Sequence, residues 1–471
     1  MRSLPALSVT LSSLFFVGAA LIGCGARTTL DLEGGGGHGG NPLPSGGGGF
    51  GEGAGPIGGF GGFIAEGGSG GGGAPPVEAT IISQMPGSFF EGETDVKSAP
   101  NGYVAAAWIG VDDQLGTSFI GYAFSTDDGE TWEPPQIAFT PGGKLASDPV
   151  ITVDGENGFW MTWVSYEVDG GGNLANMVVQ VAHASPFATS FDPPVDAGVG
   201  DTFDIRDKPW ITFSPDGALI VTYAEFTQTS FDMIAVRSFD GINFERSVMA
   251  HDPGAVQRNL AFPCTSPDGG PIYVVWIALD NTGTKVEATR SDDLGSTWSP
   301  PVRVSPVGHS VAFSDPNCSV DPENGALLVS YGQTDDPFGK EAGFTAMLFS
   351  VEIALSTNGA LSFEPLTSIP VEPNLAMLPQ LGFELGQFFV SYYQGQFEED
   401  TEGQFVLSTT ISVDTGFDSQ TVAAPELFTP QRASAQWLGD YTGMHVRNGA
   451  AYMTFVHNEV DGLSHVAFAK R

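Results

Sequence analysis

The sequence predicts an all-β protein built from repeated four-stranded units. Composition is the first observation behind this: 64 glycines, 33 prolines and 11% aromatic residues suit many turns between buried strands, and helix signals are poor throughout. A duplicated octapeptide is the second. Ser125-Thr126-Asp127-Asp128-Gly129-Glu130-Thr131-Trp132 returns as Ser291-Asp292-Asp293-Leu294-Gly295-Ser296-Thr297-Trp298, and both copies read Ser-x-Asp-x-Gly-x-Thr-Trp. The third is a recurring hairpin, in which an apolar strand, a turn of Asp, Asn or Gly, and an aromatic-rich strand follow one another.

The hairpin begins seven times. Copies run from Asp95 to Trp108, Asp148 to Trp163, Asp207 to Tyr223, Arg258 to Trp276, Asp315 to Tyr331, Asn374 to Tyr392 and Asp440 to Phe455. After each of the first six comes a third strand, the octapeptide or a degraded form of it, and a fourth strand. Degraded copies start at Ser185, Ser238, Ser356 and Ser412, so that the six serines lie 53 to 65 residues apart. A four-stranded propeller blade needs about that length. The seventh unit has a hairpin and a third strand at His465 to Ala469, and Glu78 to Gln84 is available as its fourth. An amino-terminal strand completing the last blade would close the ring and remove its open edge. The fold expected is a β-propeller of four-stranded antiparallel blades, seven by this count, with six as the alternative.

In the octapeptide, hydroxyls and a carboxylate accept the free amides of a tight turn, glycine supplies a left-handed backbone angle, and tryptophan packs inward. The motif resembles the Asp-box, or bacterial neuraminidase repeat, of sialidase-like β-propellers. That resemblance implies an Asp-box turn between strands three and four of each blade, and a ligand site on the opposite rim.

Residues 1–24 carry Arg2, an apolar run from Leu11 to Leu21 and the ending Leu21-Ile22-Gly23-Cys24. The run is too short for a membrane span and resembles a bacterial lipoprotein signal peptide, with Cys24 as the acylated first residue of the mature chain. Residues 25–77 are dominated by glycine and cannot bury enough apolar surface to fold; as a coil of about 53 residues they would reach roughly 40 Å. The propeller is assigned to residues 78–471. With 17 basic against 55 acidic residues the formal net charge is −38, which argues against nucleic acid and against adsorption to anionic lipid. The expected setting is the bacterial cell envelope, on the outer membrane or cell surface, with a monomeric chain touching the membrane through its lipid anchor only.

With Cys24 assigned to lipid, Cys264 and Cys318 remain, in matching places of consecutive first strands, and a disulfide between them is expected in an oxidising compartment. Two cysteines without paired histidines do not make a zinc site, and no catalytic metal or organic cofactor is expected. Structural calcium on carboxylates such as Asp148, Asp207 and Asp315 is the one cofactor the charge would favour.

By topology, the starts of first strands and the ends of second strands share the rim opposite the Asp-boxes. Asp148, Arg206, Asp207, Lys208, Arg258, Asp315, Arg432, Asp440 and Tyr441 map to strand starts, and Glu225, Asp280 and Asp335 to strand ends. In sialidases three arginines clamp a substrate carboxylate, a tyrosine activated by a glutamate is the nucleophile, and an aspartate is the acid/base. The resemblance would give Arg206, Arg258 and Arg432 the clamp, Tyr441 and Glu225 the nucleophilic pair, and Asp148 the acid/base role, with Asp207 and Asp440 as further ligand contacts. The family's Arg-Ile-Pro signature is absent, and Asp95-Val96-Lys97 stands in the first unit instead. Asp148-Pro149, Asp207-Lys208-Pro209 and Asp315-Pro316 also read as structural punctuation at the start of a blade. The functions in view are therefore a surface-displayed propeller binding glycan or protein ligands, an exo-acting sialidase-type glycoside hydrolase, and an assembly protein using its blade sides.

Overall fold

In a computed structural model of the chain, the described residues are 79–84, 90–112, 117–198, 200, 202, 204–311, 316–334, 348–370, 376–396, 404–412, 417–421, 439–457 and 464–471. Cys24, the glycine-rich segment, Arg432, Asp315 and Asp335 lie outside them.

The strands are antiparallel throughout and sort into sheets in chain order. After β1 (Thr80–Ile81), the first sheet contains β2 (Phe90–Ser98), β3 (Val104–Asp112), β4 (Thr117–Ser125) and β5 (Gln136–Ile137). The second is β6 (Leu145–Val153), β7 (Phe159–Val168), β8 (Leu174–Ala184) and β9 (Val195–Gly198). The third is β10 (Ile205–Phe213), β11 (Leu219–Phe226), β12 (Phe231–Ser238) and β13 (Glu245–Ala250), and the fourth is β14 (Gln257–Thr265), β15 (Ile272–Asp280), β16 (Gly283–Ser291) and β17 (Val302–Arg303). In the fifth, β18 (Ser310–Val311) and β19 (Asn317–Val320) both pair with β20 (Leu327–Thr334), followed by β21 (Leu348–Ser356) and β22 (Glu364–Pro370). The sixth is β23 (Ala376–Glu384), β24 (Gln387–Gln396), β25 (Gln404–Ser412) and β26 (Phe417–Thr421). The last comprises β27 (Gly443–Arg447), β28 (Ala450–His457) and β29 (His465–Lys470), with β1 paired on the outside of β29.

First strands of successive sheets touch: β2 and β6, β6 and β10, β10 and β14, β14 and β19, β19 and β23, β23 and β27, and β27 returns to β2. The molecule is an all-β propeller with four-stranded antiparallel blades around a central axis. Because each sheet is covered on both faces by its neighbours, second strands read as continuous apolar runs. All eight residues of β11, Leu219–Phe226, are buried. Where large rings must lie flat on the neighbouring strand, glycine makes room. A Cβ on Gly121 would sit 2.3 Å from Nε1 of Trp108, its cross-strand partner.

The two octapeptides close the turns after β4 and β16 with the same hydrogen bonds. Ser125 Oγ accepts from Gly129 N at 2.9 Å and donates to Asp127 Oδ1 at 2.8 Å, while Asp127 accepts from Thr131 N and Oγ1 at 2.8 and 2.6 Å. Ser291, Asp293, Gly295 and Thr297 repeat these four bonds, in the same order, at 2.8, 2.9, 2.8 and 2.7 Å. At Ser238 a shorter copy uses Asp240 and Asn243, and at Ser356 an amide variant uses Asn358, Ala360 and Ser362. The closing aromatic reaches the preceding sheet. Trp132 of the first sheet meets Phe468 of the last at 4.9 Å between centroids, and Trp298 of the fourth donates from Nε1 to Ser247 Oγ of the third at 2.9 Å. The motif therefore joins sheets as well as turning a strand.

Cys264 on β14 and Cys318 on β19 form a disulfide, with Cα atoms 6.0 Å apart, that ties the fourth sheet to the fifth. No helix among the described residues is long and apolar enough to cross a membrane.

Candidate functional site

The first strands share an irregularity that builds the centre of the molecule. In β2, β6, β10, β14 and β23 the register against the second strand slips by one residue, two residues of the first strand standing opposite one of the second, after Gly92, Ser147, Asp207, Asn259 and Met377. The first skipped residue has a left-handed backbone every time: Glu93 (φ 44°), Asp148 (59°), Lys208 (50°), Leu260 (62°) and Leu378 (54°). In three of the five the next residue is proline, Pro149, Pro209 or Pro379, at a position that donates nothing to the ladder. Non-glycine residues in this region cost on the order of 1–3 kcal/mol each, so the geometry is imposed by its surroundings.

Three of these bulges meet. Lys208 Nζ lies 2.8 Å from Glu93 Oε1, 2.6 Å from Asp148 Oδ1 and 2.7 Å from Asp440 Oδ2. These residues come from the third, first and second sheets and from the approach to the last. The third and last sheets are not neighbours in the order of contacts, so the lysine bridges them across the axis. Its ammonium stands 5.6 Å from the centroid of Tyr441, whose ring packs on Trp210 at 5.2 Å. Lys208, Glu93 and Asp148 are almost wholly enclosed, and the Asp440 side chain, 13% exposed, is the outlet of the cluster.

The electrostatics follow from burying four carboxylates with one ammonium. Burial, with smaller contributions from the charges of Asp148 and Asp440, holds the Glu93 carboxyl well above its ordinary range, against the opposing pull of Lys208. Asp207, next in chain to the lysine, is pushed up to about 7 by burial first and Asp148 second, opposed by Lys208 and by the Asn259 amide that donates to its Oδ2 at 2.8 Å. Glu93 Oε2 and Asp207 Oδ1 are buried oxygens with no hydrogen-bond partner, as suits groups that keep a proton. For Lys208 burial is the largest effect and opposes the charge, but the surrounding carboxylates together hold its proton more firmly than usual. Among the described residues no group of three or more His, Cys, Asp or Glu is arranged to hold a metal ion.

The arginines expected to form a clamp go elsewhere. Arg206 faces Glu225 across the β10–β11 ladder and gives Nη2 to Glu225 Oε1 at 3.1 Å and Nη1 to the Met177 carbonyl at 2.9 Å. It is fully buried. Arg258 gives Nε to Glu287 Oε2 at 2.9 Å, an oxygen that also accepts from Trp276 Nε1 at 3.1 Å. Arg206 is thus engaged by its own sheet and by β8 of the second, and Arg258 by its own sheet. Arg432, the third member, lies outside the described residues.

Nor do Tyr441 and Glu225 form a pair. Tyr441 donates its hydroxyl to the Pro149 carbonyl at 3.0 Å, whereas Glu225 bridges Arg206 and Arg246, the latter at 2.6 Å. Asp148 accepts from Lys208 and from Ser147 Oγ at 2.7 Å. Of the residues singled out in the sequence, the structure assembles Asp148, Asp440, Lys208 and Tyr441, with Asp207 alongside. Sequence reasoning missed Glu93, although a signal existed: it stands in its first strand where Asp148 and Lys208 stand in theirs.

No protein-family model matches the chain, and no curated protein matches it. Similar solved structures include a protein of unknown function from Dyadobacter fermentans DSM 18053, at 16% identity and TM-score 0.50, covering 72% of this chain and 99% of that one. Others are an α-L-arabinanase from Penicillium chrysogenum, at 15% identity and TM-score 0.49, covering 71% and 98%, and the Hadza microbial sialidase Hz136, at 15% and 0.48, covering 73% and 68%. At 16% identity the likeness to the Dyadobacter fermentans protein is one of fold alone.

Proposed function

We propose that this chain is a lipid-anchored propeller displayed at a bacterial surface, which binds a glycan or protein ligand at the rim opposite the Ser-x-Asp turns without hydrolysing it. One observation carries the non-catalytic part. Tyr441 and Glu225, the pair a sialidase-type reaction would need, are held by separate partners, Pro149 on one side and Arg206 with Arg246 on the other. The Tyr441 hydroxyl donates to a backbone carbonyl, and Glu225 is held by two guanidinium groups in another place. Asp440, partly exposed, is the charged group of the buried cluster that a ligand would reach first. The anchored part rests on the Leu21-Ile22-Gly23-Cys24 ending and the glycine-rich segment after it. We further read the sheets as seven blades of one ring closed by β1, supported by the circuit of contacts from β2 through β27 and by the β1–β29 pairing.

Turnover of fluorogenic sialosides by the full chain, with Tyr441→Phe and Arg258→Ala beside it, tests this. The expected result is no turnover by any of the three and retention of ligands on a glycan or glycoprotein array. Turnover abolished by both substitutions would establish the exo-acting sialidase instead.

A further inference from the structure

We infer that the chain enters the propeller at the rim of the Ser-x-Asp turns, so that the surface to which Cys24 is anchored lies beneath that rim and the Lys208–Asp440 mouth faces away from it. The inference rests on the anchored reading proposed above and adds an orientation to it.

The direction of β1 carries it. β1 runs antiparallel to β29, with Thr80 opposite Phe468 and Ile81 opposite Ala467; Ile82 N then donates to Val466 O. As the residue number rises from 80 to 83 the chain therefore travels from the end of β29 toward its beginning. The two ends of β29 are identified by what they touch. At its end, Phe468 packs on Trp132 of the first Ser-x-Asp turn, a Cβ on Gly129 of that turn would meet its ring at 2.6 Å, and Lys470 is ion-paired with Asp128 of the same turn. At its beginning, His465 Nδ1 lies 2.8 Å from Glu91 Oε2 at the start of β2, and Ser83 Oγ donates to the same Glu91. From Thr80 to Ser83 the chain thus runs from the side of the turn rim toward the other rim, where first strands begin and where Asp440 sits.

A strand of nine residues spans about 30 Å at 3.3 Å per residue, so the two rims are separated by nearly as much as the roughly 40 Å reach of the segment from Gly25 to Val77. Attachment at one rim then biases which face approaches the lipid, even with a segment that long. A ligand arriving from the medium would meet the mouth without passing the anchor.

The experiment uses the full lipidated chain in zwitterionic vesicles carrying an acceptor dye on the lipid headgroups. Donor dyes are placed singly at Leu361→Cys, in the turn after β21, or at Val307→Cys, in the connection from β17 to β18 on the opposite rim; both positions are exposed, at 73% and 86%. Native Cys264 and Cys318 are disulfide-bonded, so the introduced thiol labels selectively. Energy transfer from Leu361→Cys should exceed that from Val307→Cys by about twofold or more, given rims ~30 Å apart. Flotation with the vesicles should be lost in Cys24→Ser. Flotation that survives Cys24→Ser would overturn the anchored reading and the inference with it. Flotation dependent on Cys24, with equal transfer from the two sites or more from Val307→Cys, would overturn the rim assignment alone.

Discussion

Replacing Asp207 by asparagine should make the protein more stable at neutral and alkaline pH and alter it little in acid. The carboxyl is enclosed, is pushed up to about 7, and touches Asn259 through one oxygen while the other has no partner. Between an ordinary aspartate value near 4 and about 7, the folded chain holds a proton that the unfolded chain has released. With more protons on the folded state, stability falls as pH rises through that window, by up to about 1.4 kcal/mol per unit and on the order of 4 kcal/mol in all. Asparagine has the same shape, keeps an acceptor for Asn259 Nδ2, and has no proton to lose. Urea unfolding followed by tryptophan fluorescence at pH 4.5, 6 and 8 measures this. Parent and variant should match at pH 4.5, and the variant should gain steadily toward pH 8. A difference between the two that is the same at all three values would refute the account of a buried, proton-holding carboxyl.

Two further outcomes follow from neighbouring features. Lys208→Met leaves Glu93, Asp148 and Asp440 facing one another with no counter-ion, which should cost about 3–5 kcal/mol at pH 7. Because the lysine proton is held above its ordinary value, its contribution is fully present at neutral pH and fades only in strong alkali; the loss should shrink on acidification and in Lys208→Met/Asp148→Asn, as read by denaturant midpoints. Removing the bond between Cys264 and Cys318 opens a loop of 54 residues and should lower stability by about 4 kcal/mol by the loop-entropy argument, visible as a lower melting temperature in Cys264→Ala/Cys318→Ala and as two thiols gained on reducing the denatured parent.

The architecture was legible because it is written in local rules. Ser125 to Trp132 and Ser291 to Trp298 state their hydrogen bonds in residue types alone, and the hairpins beginning at Asp95, Asp148, Asp207 and Arg258 coincide with first and second strands. The site was less legible, since rim position does not reveal a partner. Arg206 shares a rim with Tyr441, but its ladder register delivers it to Glu225. Register is fixed by a one-residue slip after Asp207, which alternation of apolar and polar residues cannot display. The residue types of Asp148-Pro149 and Lys208-Pro209 are plain in the sequence, whereas the left-handed angle that turns Asp148 and Lys208 into one cluster belongs to the fold.

That recurring slip is what separates scaffold from site in this molecule. Five first strands carry it, and each positions one residue with a left-handed backbone. In the first three sheets that residue is Glu93, Asp148 or Lys208, and in β14 and β23 it is Leu260 or Leu378, both buried in apolar clusters. A purely structural bulge could be served by leucine throughout. Charge at three consecutive bulges, drawn together with Asp440 from the far side of the axis, concentrates unfavourable burial in one sector, and strain of this kind persists only where its surroundings hold it. The sector that includes Asp440 and Tyr441 therefore carries the buried charge, whereas the bulges of β14 and β23 pack as apolar core.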